Sequence, residues 1–179
     1  REIAAAPAPL TVAWAAKRFD LDLLLDWVAA AMLCETGEPF QAVMVRDNRD
    51  ALAGGRWSWV LWDLDQSFFD PPRFQRLGHG NGYLDYLSSR RSEGMPAGLL
   101  VARLLREDPR FRQLLADRVE HAIDHELTAE RARALVARYA RMTSTLGNDP
   151  SRFAPLLDDY FPRRRESVRA EIAELRGGG

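Results

Sequence analysis

The sequence predicts a mainly helical α+β domain with one small β-hairpin. Three observations lead there. Apolar residues recur at helical spacing in several separate stretches. Strand-like alternation is concentrated in one place, Trp57 to Trp62, beside a short β-prone run. The chain has 179 residues, 46% apolar and 28% charged, an ordinary globular balance with enough length to bury a core unaided.

The elements follow in order. Residues 1–18, rich in Ala and Pro, read as a linker or an incoming segment. Asp20 then suits an N-cap, with Phe19 before it and Asp22 in the first turn. Leu23, Leu24, Trp27, Val28, Ala31 and Met32 share one apolar helix face, and Gly37 and Pro39 end the helix. Ala42 to Arg46 and Arg56 to Trp62 form a hairpin, joined by Asp47-Asn48-Arg49-Asp50 and Gly54-Gly55. Both faces of the second strand are apolar, which predicts cover on both sides. Residues 66–82 are loop-like, with two prolines and Gly78-His79-Gly80-Asn81-Gly82. Helices are predicted over Pro96 to Arg106 and from Pro109 onward, the latter carrying Phe111, Leu115, Val119 and Ile123. Thr128 caps another, with Leu135, Val136 and Tyr139 facing inward. Phe153 to Phe161 and Arg163 to Leu175 complete one domain over 19–176, leaving 177–179 as a flexible tail.

Composition excludes several functions. The net charge is −1, so no basic nucleic-acid footprint exists. Cys34 stands alone, which rules out an intramolecular disulfide and a cysteine-rich zinc site. The longest apolar run, Trp27 to Cys34, is too short to span a membrane. The chain opens on Arg1 and closes on three glycines, which reads as a piece of a longer protein, so secretion is left open. Lys17 is the sole lysine beside 24 arginines.

The strongest chemical signal is Trp59-Val60-Leu61-Trp62-Asp63-Leu64-Asp65. Two carboxylates two residues apart at a strand end can hold Mg²⁺, which takes hard oxygen ligands together with substrate phosphates. The plain alternative is a turn-capping pair. An EF-hand loop needs Gly and Glu where Phe68 and Phe74 stand, so that reading fails. A haloacid-dehalogenase-type phosphohydrolase, with Asp63 as nucleophile and Asp65 as acid, lacks its downstream lysine and its alternating strands and helices.

A wider set of residues resembles the CotH kinase family, the spore coat protein H-like atypical kinases. Phe19-Asp20-Leu21-Asp22 opens a helix, Val43-Met44-Val45-Arg46-Asp47 follows, and Arg56 to Phe68 carries the tryptophan-rich strand into Asp63-Leu64-Asp65. Leu104 to Arg112, Arg118 and Arg163-Arg164-Arg165 extend the resemblance over nearly the whole chain. It implies the C-terminal lobe of a protein-kinase-like fold, with the N-terminal lobe upstream. It implies ATP- and Mg²⁺-dependent phosphorylation of protein Ser or Thr, in bacterial spore coat, cell-surface or secreted settings. Asp63 matches the metal-binding aspartate, and Asp65 supports it.

The chain departs from the family where a catalytic Asp precedes an Asn by about five residues; those places fall near Thr36 and Gln41. Thr36 cannot act as a carboxylate base, and Gln41 replaces a metal-binding Asn with a longer, looser side chain. Glu35 and Glu38 flank the site and are the candidates to supply a carboxylate. With neither glycine loop nor strand-borne lysine, this segment alone should bind ATP poorly. A catalytically inactive CotH-like module of a coat or surface assembly is therefore the alternative. The expected partners are a protein substrate or a coat protein.

Other residues have plainer readings. His121 and His125, four apart beside Asp124, resemble half of a metal site but suit a solvated face. Cys34 reads as a buried thiol and the tryptophans as core. Arg163-Arg164-Arg165 reads as an exposed helix start.

Overall fold

A computed structural model describes residues 2–36, 43–46, 55–60, 83–88, 95–126, 128–142 and 156–177. Among them lie seven α-helices and a two-stranded antiparallel sheet, as predicted for a mainly helical domain. The helices are α1 (Val12–Ala16), α2 (Leu21–Cys34), α3 (Tyr83–Ser88), α4 (Pro96–Glu107), α5 (Pro109–His121), α6 (Ala129–Met142) and α7 (Phe161–Gly177). The strands are β1 (Val43–Arg46) and β2 (Trp57–Val60). One π-helical turn, Ala122–Glu126, extends α5, and another, Leu156–Tyr160, leads into α7.

The segment read as a linker folds onto the core. Ile3, Leu10, Val12 and Ala15 are buried in it. The short helix α1 is capped by the Thr11 hydroxyl, which accepts from the Trp14 N–H at 3.2 Å. The junction between α4 and α5 holds this segment. Glu107 accepts from the Leu10 N–H at 2.5 Å and Asp108 from the Val12 N–H at 2.6 Å. Arg103 donates to the carbonyls of Ile3 at 3.0 Å and Pro7 at 2.8 Å.

Helix α2 is the central element. Asp20 caps it as predicted, accepting from the Leu23 N–H at 3.2 Å. Its burial is wider than one face: Leu24, Leu25, Trp27, Val28, Ala29, Ala31, Met32 and Leu33 are all inside, while Leu23 is exposed. Packing explains this, because α5, α7 and β2 all touch it. The helix stops at Cys34, and Glu35 takes a left-handed conformation with φ 46°. Glycine is the usual residue there, so a glutamate is held by its surroundings. Gly37 and Pro39, the predicted stop, lie outside the described residues.

The hairpin pairs Val43 with Val60 and Arg46 with Trp57. A parallel bridge ties Trp57 to Phe19, with the Asp20 N–H donating to the Trp57 carbonyl at 2.7 Å. That bond fixes the start of α2 against the start of β2. Met44, Trp57 and Trp59 face the core, and Trp59 meets Phe19 at 5.4 Å between ring centroids. The opposite face corrects the prediction of cover on both sides. Val43, Val45 and Val60 are 40%, 48% and 39% exposed.

Helices α4 and α5 start at Pro96 and Pro109, as predicted. Helix α3 forms where no element was assigned, burying Tyr83, Leu84 and Leu87. Helix α6 departs from expectation: Ala132 is its buried residue, and Leu135 and Tyr139 point to solvent. Helix α7 lies against α5, burying Val168, Ile172 and Leu175 at helical spacing. Arg176 clamps its end to Asp117 at 2.9 Å and Glu120 at 2.6 Å.

Candidate functional site

The hairpin leads, along the sequence, to the acidic signature. Strand β2 ends at Val60, three residues before Asp63 in the sequence. Its register sets alternate residues on opposite faces. The tryptophans anchor the inner face, while Val43, Val45 and Val60 form an outward apolar platform. Asp63 and Asp65, read as metal ligands, lie outside the described residues, as do Glu38 and Gln41.

Glu35 lies at the end of α2, inside a buried ionic cluster. Arg164 of α7 is its centre. The Arg164 Nη1 stands 3.1 Å from Glu35 Oε1 and 2.8 Å from Glu171 Oε1. The same guanidinium donates to the Met32 carbonyl from Nε at 3.0 Å, satisfying the α2 end. Tyr160 donates its hydroxyl to Glu35 Oε2 at 3.1 Å. Burial alone would lower the Arg164 pKa, but Glu171 and Glu35 outweigh it and hold the cation charged. Burial, and then the Glu35 charge, push the Tyr160 hydroxyl up, so it stays a proton donor. Two carboxylates thus face one arginine, and Glu171 Oε2 has no hydrogen-bond partner among the described residues.

This cluster corrects the reading of Arg163-Arg164-Arg165 as an exposed helix start. Arg163 is exposed and pairs with Asp159 at 2.6 Å. Arg165 reaches Asp124 at 3.7 Å. Arg164 is 4% exposed, its charge neutralised inside the core. The sequence carried one signal for this: Glu171, seven residues on, shares its helix face.

Thr36, near the place where the resemblance puts the catalytic aspartate, is also buried. Its carbonyl accepts from the Tyr83 hydroxyl at 2.9 Å, and its own hydroxyl has no partner among the described residues. Helix α3 therefore bears directly on the segment leaving α2. Cys34, beside it, is partly buried, and desolvation pushes its thiol up to about 11. His121 and His125 sit 4.9 Å apart between ring centroids, and His121 reaches Glu126 at 3.4 Å. Asp124 is engaged by Arg169 at 3.0 Å. Among the described residues no cluster of three metal-ligating side chains forms. His79 lies outside the described residues.

No curated protein and no solved structure matches the chain. The family model described as CotH kinase protein matches residues 6–176, nearly the whole length. That span takes in α1, the hairpin, the acidic signature and the buried cluster on α7, and the chain belongs to the CotH kinase protein family.

Proposed function

We infer that this chain serves ATP- and Mg²⁺-dependent phosphorylation of protein Ser or Thr, as the C-terminal lobe of a CotH-type kinase. The observation that carries this reading is the hairpin. Its open valine platform has the chemistry to seat a nucleobase, and its second strand runs on to two carboxylates. Asp63 and Asp65 are hard oxygen donors suited to Mg²⁺, which would supply charge neutralisation at the β- and γ-phosphates. Gln41 is the weaker third donor. Glu35 is a structural carboxylate in this reading, engaged by Arg164 and Tyr160. Glu38 is left as the carboxylate to act as base.

A second reading, an inactive CotH-like binding module of a coat or surface assembly, is favoured by one observation. The residue near the place where the resemblance puts the catalytic aspartate, Thr36, is buried and carries no carboxylate, and its neighbour Glu35 is held in an ion pair.

Calorimetry of the full-length gene product with ATP and Mg²⁺ separates the two. The kinase reading expects metal-dependent binding that Asp63→Ala abolishes, followed by transfer to peptides that Glu38→Gln slows at least a hundredfold. Folded protein without nucleotide binding would leave the inactive module in front. The Glu35→Gln variant should lower thermal stability while leaving nucleotide affinity unchanged.

A further inference from the structure

Several described cations are matched to carboxylates: Arg103 to Glu107, Arg118 to Asp22, Arg164 to Glu35 and Glu171, Arg176 to Asp117 and Glu120. Three others gather at one place. Lys17, Arg18 and Arg46 line a single open cavity of about 310 Å³ with Glu2, Gly55 and Trp57. Among the described residues, none of the three makes a salt bridge.

Two of the cations are nevertheless set in place. The Arg18 guanidinium lies 4.3 Å from the Trp14 ring centroid and donates to the Trp14 carbonyl at 3.3 Å. The Arg46 guanidinium stands 5.8 Å from the Trp57 ring centroid. Aromatic faces hold a guanidinium without neutralising it, so the charge and the N–H groups not spent on the Trp14 carbonyl are left to attract an anion. Orienting them beforehand lowers the entropy lost on binding.

A second recess of about 270 Å³ adjoins the first, sharing Glu2 and Trp57. Ile3, Phe19, Met44 and Pro96 complete it, and its lining is almost wholly apolar. Three cations against one carboxylate, Glu2, beside an apolar recess match a ligand carrying a dianion next to an apolar group.

We propose that this double cleft docks a phosphorylated peptide. The phosphate of a phosphoserine or phosphothreonine lies among Lys17, Arg18 and Arg46, and a neighbouring apolar side chain fills the recess against Met44 and Phe19. A phosphate near pH 7 carries up to two negative charges and three acceptor oxygens, which suits Arg forks better than a carboxylate does. The recess is concave and sized for a side chain, where a membrane surface would meet protruding apolar residues. The cleft lies at the end of the hairpin away from Val60, where the chain leaves β2. Arg46 and Trp57 form one end of the hairpin and Val43 and Val60 the other, roughly 10 Å along the strands.

The test uses the chain without nucleotide or Mg²⁺, so its result does not depend on Asp63. A phosphoserine peptide library with randomised flanking residues, and its unphosphorylated twin, are titrated at low salt while tryptophan fluorescence is followed. The proposal expects phosphorylated peptides with an apolar neighbour to bind, inorganic phosphate to compete, and Lys17→Gln and Arg46→Gln each to weaken binding about tenfold or more. Glu2→Gln should hold or tighten it. Lys17 and Arg46 are exposed, and unchanged thermal unfolding of the variants confirms that they fold. Equal binding of the unphosphorylated twin would overturn the proposal. So would affinity unaffected by the two substitutions, no binding by either library, or binding to phosphatidylserine vesicles with peptides ignored.

Discussion

Arg164 shows how one residue joins two distant parts of the chain. Its guanidinium ties the end of α2 to α7 through Met32, Glu35 and Glu171. Removing one partner from a buried charge network costs about 3–5 kcal/mol, because the remaining charges lose their compensation. Arg164→Ala should therefore lower the unfolding free energy by about that amount in urea titration. Arg164→Lys should recover only part, since an ammonium cannot reproduce the fork to Met32 and the carboxylates. Cys34 gives a second check at this scale. Its raised pKa, about 11 against an ordinary 9, leaves roughly a hundredfold less thiolate near pH 8. Iodoacetamide should modify the native protein about a hundredfold more slowly than the unfolded chain. The sign for stability follows. The folded thiol keeps its proton where the unfolded one has lost it, so this contribution is complete below pH 9 and is lost as pH rises to 11. The loss is roughly 2 kcal/mol, measurable as a falling midpoint in urea titrations across that range.

Among the elements, the junction of α4 and α5 does two jobs through one side chain. Asp108 caps α5 by accepting from the Arg110 N–H at 2.8 Å, and its other oxygen accepts from the Val12 N–H. A lost cap costs about 1 kcal/mol. Asp108→Ala should cost more, about 2 kcal/mol, because the bond to α1 is lost as well. Helix α6 gives the contrasting case. Leu135 is 60% exposed, so Leu135→Ala should change stability by less than about 0.5 kcal/mol. Leu115→Ala, at a fully buried position of α5, should cost about 2–5 kcal/mol. Thermal unfolding of the pair distinguishes the observed orientation of α6 from the inward one that periodicity suggested.

At the scale of the whole molecule, the first residues belong to the same packed unit as the helices. Ile3 and Leu10 are core residues, and each buried aliphatic side chain contributes about 1.5–3 kcal/mol. A chain lacking residues 1–11 should melt at a clearly lower temperature, with loss of the bonds from Glu107 and Arg103 adding to the lost burial.

The sequence by itself determined the local signals. The Asp20 cap, the prolines opening α4 and α5, the Thr128 cap and the strand alternation around Trp59 all act over a few residues. The family resemblance was legible for the same reason, since its motif is contiguous from the tryptophan-rich strand to Asp65. Tertiary structure decided what depends on partners far along the chain. Glu35 and Arg164 are 129 positions apart, and neither side chain's spacing announces the other. The exposed valine face was decided likewise, because alternation shows that a strand has two apolar faces and not which of them is covered. The same holds for α6, whose apolar stripe gains burial only where another element lies against it. Local steric and capping forces are written in neighbouring residues; burial and charge pairing are properties of what the fold brings together.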